Sequence, residues 1–96
     1  MKLLMILYSG ADPDRVAQLL EQHHARGWTQ LAHAHGAGTT GRRDATRAWP
    51  GETTVFITVL PAEEAEALSA TLRDYGATTD GSERLHVAVL PVERFC

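Results

Sequence analysis

The sequence predicts an α+β domain in the order βαββαβ, with a four-stranded antiparallel sheet carrying two helices on one face. Three observations carry this expectation: a nearly unbroken apolar run at residues 3–8, a β-branched run at 53–60, and two amphipathic stretches that each start at a proline. A chain of 96 residues has material for one hydrophobic core, so a single domain over 1–96 is expected.

The first strand is expected over Met1 to Tyr8, whose nearly continuous apolar character (Leu3, Leu4, Met5, Ile6, Leu7) suits a central strand covered on both faces. Ser9, Gly10 and Ala11 form a turn. Asp12 is a carboxylate N-cap, Pro13 fits the first helical position and Asp14 is favoured by the helix dipole, so a helix starts here. Its stripe is Val16, Leu19, Leu20 and His23, and it ends before Gly27. Residues 28–35 alternate with a two-residue period and form the second strand.

No periodicity runs through 36–52, where Gly36, Gly38 and Gly41 cluster and Trp49, Pro50 and Gly51 close the segment. A structureless stretch of that length between clear strands is read as a functional loop. Residues 53–60, rich in branched and aromatic side chains, are the third strand. Pro61 opens the second helix, with Glu63, Glu64 and Glu66 early, a stripe of Ala65, Leu68, Leu72 and Tyr75, and Gly76 expected as C-cap. A polar turn around Asp80 and Gly81 leads to the fourth strand at 84–90, ended by Pro91.

This order is the ferredoxin-like split βαβ arrangement, whose second sheet face is left bare. A small chain has nothing to cover it except another subunit or a ligand, so an oligomer is expected. The 44% hydrophobic and 22% charged content is that of an ordinary globular protein, and no apolar run is long enough to span a bilayer. The start of the chain reads as a strand and not as a signal peptide. One cysteine, Cys96, fits a reducing compartment, and a cytoplasmic location is the expectation. The net charge of −3, with no basic tract longer than Arg42-Arg43, argues against nucleic acid as a partner.

Several stretches resemble the P-II and P-II-like signalling proteins: Gly27-Trp28-Thr29 entering the second strand, Gly36-Ala37-Gly38 where the long loop begins, Asp80-Gly81 before the last strand, and Val87 through Glu93. The resemblance covers nearly the whole chain. It implies a homotrimer with outward T-loops, here 36–52, and small effectors, such as adenine nucleotides or 2-oxoglutarate, held in clefts between subunits. It also implies a transporter or enzyme partner engaged through the T-loop, and no catalysis. Gly36 and Gly38 would lie against the nucleotide, and Asp80, Gly81 and Arg84 would form a second phosphate-contacting turn with its basic residue. The loop carries neither the modifiable tyrosine nor the glutamine of true P-II proteins, and the chain to Cys96 lacks the C-terminal arginines of the triphosphate site. The resemblance is thus to a divergent member with a different ligand.

The residues add two chemical expectations. Arg42, Arg43 and Arg47 place three guanidinium groups on one loop, suited to phosphate, carboxylate or an acidic partner surface, or simply to solvation. Trp49 is an anchor for the loop base or a binding hot spot. His33 and His35, two apart on a strand, would share a face, and His86 of a neighbouring subunit could join them as divalent-metal ligands, with Cys96 as a further donor. Resemblance to the related CutA proteins, linked to divalent metals, makes a metal-homeostasis role the alternative, and hydrogen-bonding histidines at an interface are the plain one. No catalytic constellation is present: Asp44 beside Arg43 reads as an ion pair, and the GTTG stretch lacks the lysine of a phosphate-binding loop.

Overall fold

The computed structural model describes residues 1–23, 25, 27–35, 37–38, 41–42, 53–79 and 81–96. The elements are β1 (Lys2–Ser9), α1 (Pro13–Gln22), β2 (Thr29–Ala34), β3 (Ala37–Gly38), β4 (Gly41–Arg42), β5 (Thr53–Leu60), α2 (Ala62–Ala77) and β6 (Arg84–Pro91). The main sheet runs β2-β5-β1-β6 and every neighbouring pair is antiparallel, which is the expected ferredoxin-like frame.

The helix starts follow the local chemistry. The Asp12 carboxylate accepts a hydrogen bond from the Arg15 backbone N–H at 3.3 Å, with Pro13 in the first turn of α1. Pro61 offers α2 no capping side chain, and Glu63 and Glu64 set negative charge in its first turn instead. The end of α2 differs from expectation. Gly76 lies inside the helix and Thr78 is the C-cap, because the Thr78 backbone N–H and hydroxyl both donate to the Tyr75 carbonyl, at 3.1 and 2.8 Å. Those two bonds satisfy a terminal carbonyl without a left-handed glycine.

Strand alternation sorts the sheet into two faces. Leu4, Ile6 and Tyr8 of β1 and Phe56 and Leu60 of β5 pack against Val16, Leu19 and Leu20 of α1 and Ala65, Leu68 and Leu72 of α2, and all are buried. Thr58 is buried among them with its hydroxyl donating to the Gly27 carbonyl at 2.7 Å, so its polar atom is satisfied. The pairing register places Leu31, Val55, Leu7 and His86 in one row across the opposite face, Thr29, Ile57, Met5 and Ala88 in the next, and Val59, Leu3 and Leu90 beyond. Within one chain nothing described covers this face: Leu31 is 52% exposed and Leu90 43%. The first strand is central, as read from its composition, yet only one of its faces is sealed.

Three further expectations are corrected. The second strand is Thr29–Ala34, and its register with β5 shifts between Leu31 and Ala34, with His33 at a φ of 63°. A bulge of this kind inserts a residue and breaks the two-residue alternation, a feature that a short, weakly apolar edge strand accommodates. The 36–52 loop is not structureless at its start: β3 and β4 pair as Ala37↔Arg42 and Gly38↔Gly41. Small residues on both sides of a two-residue connection permit that ladder. β6 also runs one residue further than expected, through Pro91, which an edge strand tolerates because its missing N–H need not serve a second neighbour.

One polar cluster ties the layers together. Tyr8 and Tyr75 both donate to the Glu83 carboxylate, the latter at 2.9 Å, and the Asp12 backbone N–H donates to the Tyr8 hydroxyl at 3.0 Å. The end of β1, the start of α1, the last turns of α2 and the residue before β6 thereby meet. Burial, and then the bond to Glu83, push the Tyr8 hydroxyl well above its ordinary range and the Tyr75 hydroxyl up to about 12.

Two tests follow from this packing. Phe56→Ala is expected to cost about 3–5 kcal/mol in urea unfolding, because it empties the centre of the helix-covered core. The tyrosines set an alkaline limit. Unfolded Tyr75 ionises near 10.0, whereas the folded chain holds the proton to about 12, so the stability it contributes is intact below pH 10 and is lost as pH rises from 10 to about 12. Thermal melts through that window should show a falling Tm, and Tyr75→Phe should flatten the fall.

Candidate functional site

The two outer strands bring the sequence-predicted residues to one end of the sheet. At that end Ala34 pairs with Thr53 and Ser9 pairs with Arg84, and Tyr8 opposite Thr54 sets Ser9 beside Thr53. The Ser9 and Thr53 hydroxyls are 3.1 Å apart and hydrogen-bonded. Thr53, Ser9 and Arg84 therefore share a polar row on the face away from the helices, with Ser9 buried and Thr53 and Arg84 half-buried, bordering the apolar rows that begin with Leu7 and Val55. An arginine in register with two hydroxyl residues is a residue set of the kind that suits a phosphate or carboxylate. Among the described residues no acidic side chain shares the row.

The predicted anion-binding residues divide between the two edges of the sheet. Gly38 and Arg42 lie in the β3–β4 ladder that follows edge strand β2, whereas Gly81, at a φ of 90°, and Arg84 lead into the other edge strand, β6. A positive φ there explains why glycine occupies this turn. Two inner strands intervene, and three interstrand spacings amount to roughly 14 Å. One chain does not bring the two groups together around a single phosphate. Gly36, Arg43, Arg47, Trp49 and Asp80 lie outside the described residues.

The predicted metal ligands divide in the same way, His33 on β2 and His86 on β6. The premise that His33 and His35 share a strand face is corrected: the bulge falls at His33, and β2 ends at Ala34. Among the described residues no three histidine, cysteine or acidic side chains gather at metal-binding distance. His86 stands opposite Leu7 in the apolar face, and His23 is a C-cap whose ring nitrogen is hydrogen-bonded to the Thr71 hydroxyl at 2.8 Å.

Sequence reasoning missed the role of Glu83, which it left in a polar turn, and of Tyr8 and Tyr75, which it counted as apolar positions. Tyrosine at a core position was the available signal, since a buried phenol needs a polar partner. A broad groove of about 1150 Å³ lies at the other end of the sheet, lined by Trp28, Ile57, Val59, Leu60, Pro61 and Phe95 among others. It is mainly apolar and none of the predicted site residues lines it.

No family model matches the chain, and neither does any curated protein. Solved structures do match. CPII, a nitrogen regulatory PII-like protein from Thiomonas intermedia K12, solved with ADP, AMP and bicarbonate, aligns with a TM-score of 0.69 at 21% identity, over 97% of this chain and 88% of that one. A protein of Thermus thermophilus assigned to the PII-like signalling proteins aligns with a TM-score of 0.66 at 22% identity, over 92% and 82%. A DUF3240 family protein from Shewanella baltica gives a TM-score of 0.70 at 18% identity, over 99% and 93%. This chain thus has the fold of the PII-like proteins over almost its full length.

Proposed function

We propose that this protein is a PII-like ligand-binding regulator that takes a small anionic effector, with an adenine nucleotide as the first candidate. The observation that carries the reading is the polar row of Thr53, Ser9 and Arg84 on the open sheet face, at the end where the 36–52 segment leaves the sheet. The fold-mates solved with ADP, AMP or bicarbonate support the choice of probe. No arrangement of acid, base and nucleophile among the described residues argues for catalysis instead.

The site lies between subunits in this reading. The predicted residues sit on opposite sheet edges, so the β2 end of one copy and the β6 start of another complete it, in a homotrimer built on the bare apolar face. The 36–52 segment then acts as the T-loop, with its arginines Arg42, Arg43 and Arg47 toward the effector or toward an acidic surface on a partner transporter or enzyme. Among the described residues no helix is long and apolar enough to cross a membrane.

Calorimetry with ADP and AMP tests the effector. Heat with a defined stoichiometry is expected for the full chain, and Arg84→Ala should weaken binding at least about tenfold, as loss of a charged hydrogen-bond donor does. Absence of heat with either nucleotide sinks the nucleotide reading. Sedimentation tests the assembly: a trimer is expected, and Met5→Glu, which places a charge in the middle of the bare face, should yield monomer.

A further inference from the structure

We infer that Glu83, held by Tyr8 and Tyr75, is a positioning residue for Arg84: its hydrogen bonds decide which face of the sheet the guanidinium occupies. This rests on the reading of Arg84 as an anion-binding residue. Glu83 and Arg84 are consecutive at the start of an edge strand, and successive side chains of an extended chain leave on opposite faces. Glu83 reaches the helix side, where Tyr8 and Tyr75 donate to its carboxylate. Arg84 consequently stands opposite Ser9 on the open face.

The ladder with β1 and the core contacts of Leu85 and Val87 hold the body of β6 in register, but Arg84 is its first pair, at the end of an edge strand with a partner on one side only, where a strand frays most easily. A slip of one residue would carry Arg84 into the helix layer and remove it from the row with Ser9 and Thr53. The clamp opposes such a slip with charge-assisted bonds to two elements distant in sequence, the end of β1 and the end of α2. It is also enclosed. A Cβ on Gly10 would come within 2.6 Å of the Tyr8 hydroxyl oxygen and 2.8 Å of Glu83 Cγ, so the β1–α1 turn packs its bare backbone onto the pair. The Asp12 N–H, donating to the Tyr8 hydroxyl, joins the start of α1 to the same cluster. Mere stability does not require a carboxylate at this position: a partly buried acid that joins four elements next to the proposed ligand-binding arginine is suited to fixing geometry.

The test uses the full chain with ADP as probe and follows two readouts, calorimetric affinity and hydrogen exchange of the backbone amides over 82–86. Glu83→Ala should weaken ADP binding about tenfold and speed exchange over 82–86, and Glu83→Gln, which keeps an acceptor oxygen, should restore most of both. Leu60→Val, a core change at a buried position paired with Lys2, at the opposite end of β1 from Tyr8, supplies a control with a comparable loss of Tm and should leave affinity within about twofold. If Glu83→Ala does not fold, Tyr75→Phe takes its place, with the same expected direction. Wild-type affinity in Glu83→Ala together with its loss in Arg84→Ala overturns the positioning role and leaves the site. Equal losses in Glu83→Ala and Leu60→Val overturn it as well. Should the wild-type chain bind no ADP, the effector reading fails first, and exchange over 82–86 decides the positioning role alone: unchanged protection in Glu83→Ala overturns it.

Discussion

Two helices cannot seal both faces of a four-stranded sheet, and most of this molecule's properties descend from that constraint. Alternation sends Leu4, Ile6, Tyr8 and Phe56 toward the helices and leaves Leu3, Met5, Leu7, Val55 and Ile57 on the opposite surface. β1 and β5 are apolar on both faces, as strands buried on both sides are, although only one side is buried within the chain. At about 25 cal/mol per Å² of apolar surface, leaving such a face in water forgoes several kcal/mol that association would recover. The same sheet thus serves as a core on one side and as an unpartnered surface on the other.

The constraint also shapes the chemistry at the sheet end. The open face changes from apolar to polar over a single row, where Leu7 and Val55 give way to Ser9 and Thr53 and His86 to Arg84. On the reverse side of that row Tyr8 and Leu85 continue the core, and Glu83 is carried into the layer by its two phenols. Polar groups with opposite tasks are thereby separated by the thickness of one sheet. The carboxylate is spent on architecture, and the guanidinium beside it is presented on the face proposed to bind.

The strands and helices were legible because their signals are local. Asp12-Pro13 announces α1, the branched run at 53–60 announces β5, and the continuous apolar run at 3–8 fixes β1 as central. Features set by distant contacts were not. The bulge at His33 depends on how β2 docks against β5; the end of α2 is set by a local bond from Thr78 back to Tyr75, but a glycine at position 76 disguises it. Of the proposed site, Arg84 and the glycine turn before it are singled out by the family resemblance, whereas the Glu83 clamp joins residues 75 apart in the sequence, a pairing that no periodicity encodes. Identities of 18–22% with fold-mates have the same explanation: the fold needs a pattern of apolar and polar positions, and many residues satisfy the pattern.

The split of the proposed site across two edges has a thermodynamic consequence. If an effector must touch the β2 end of one copy and the β6 start of another, it binds the assembly and not the isolated chain. Mass action then makes ligand and assembly stabilise each other, by RT ln(1 + [L]/Kd) for each site filled. Reciprocity follows, since whatever loosens the bare-face contact weakens the effector by the same factor as the effector tightens the contact. A segment that leaves the sheet beside such a site is placed to report both events at once, because the strand residues that bound it, Ala34 and Thr53, are paired to each other in the same row as Ser9. One end of one sheet would in this way couple effector, assembly and loop, with no moving part other than the contact between copies.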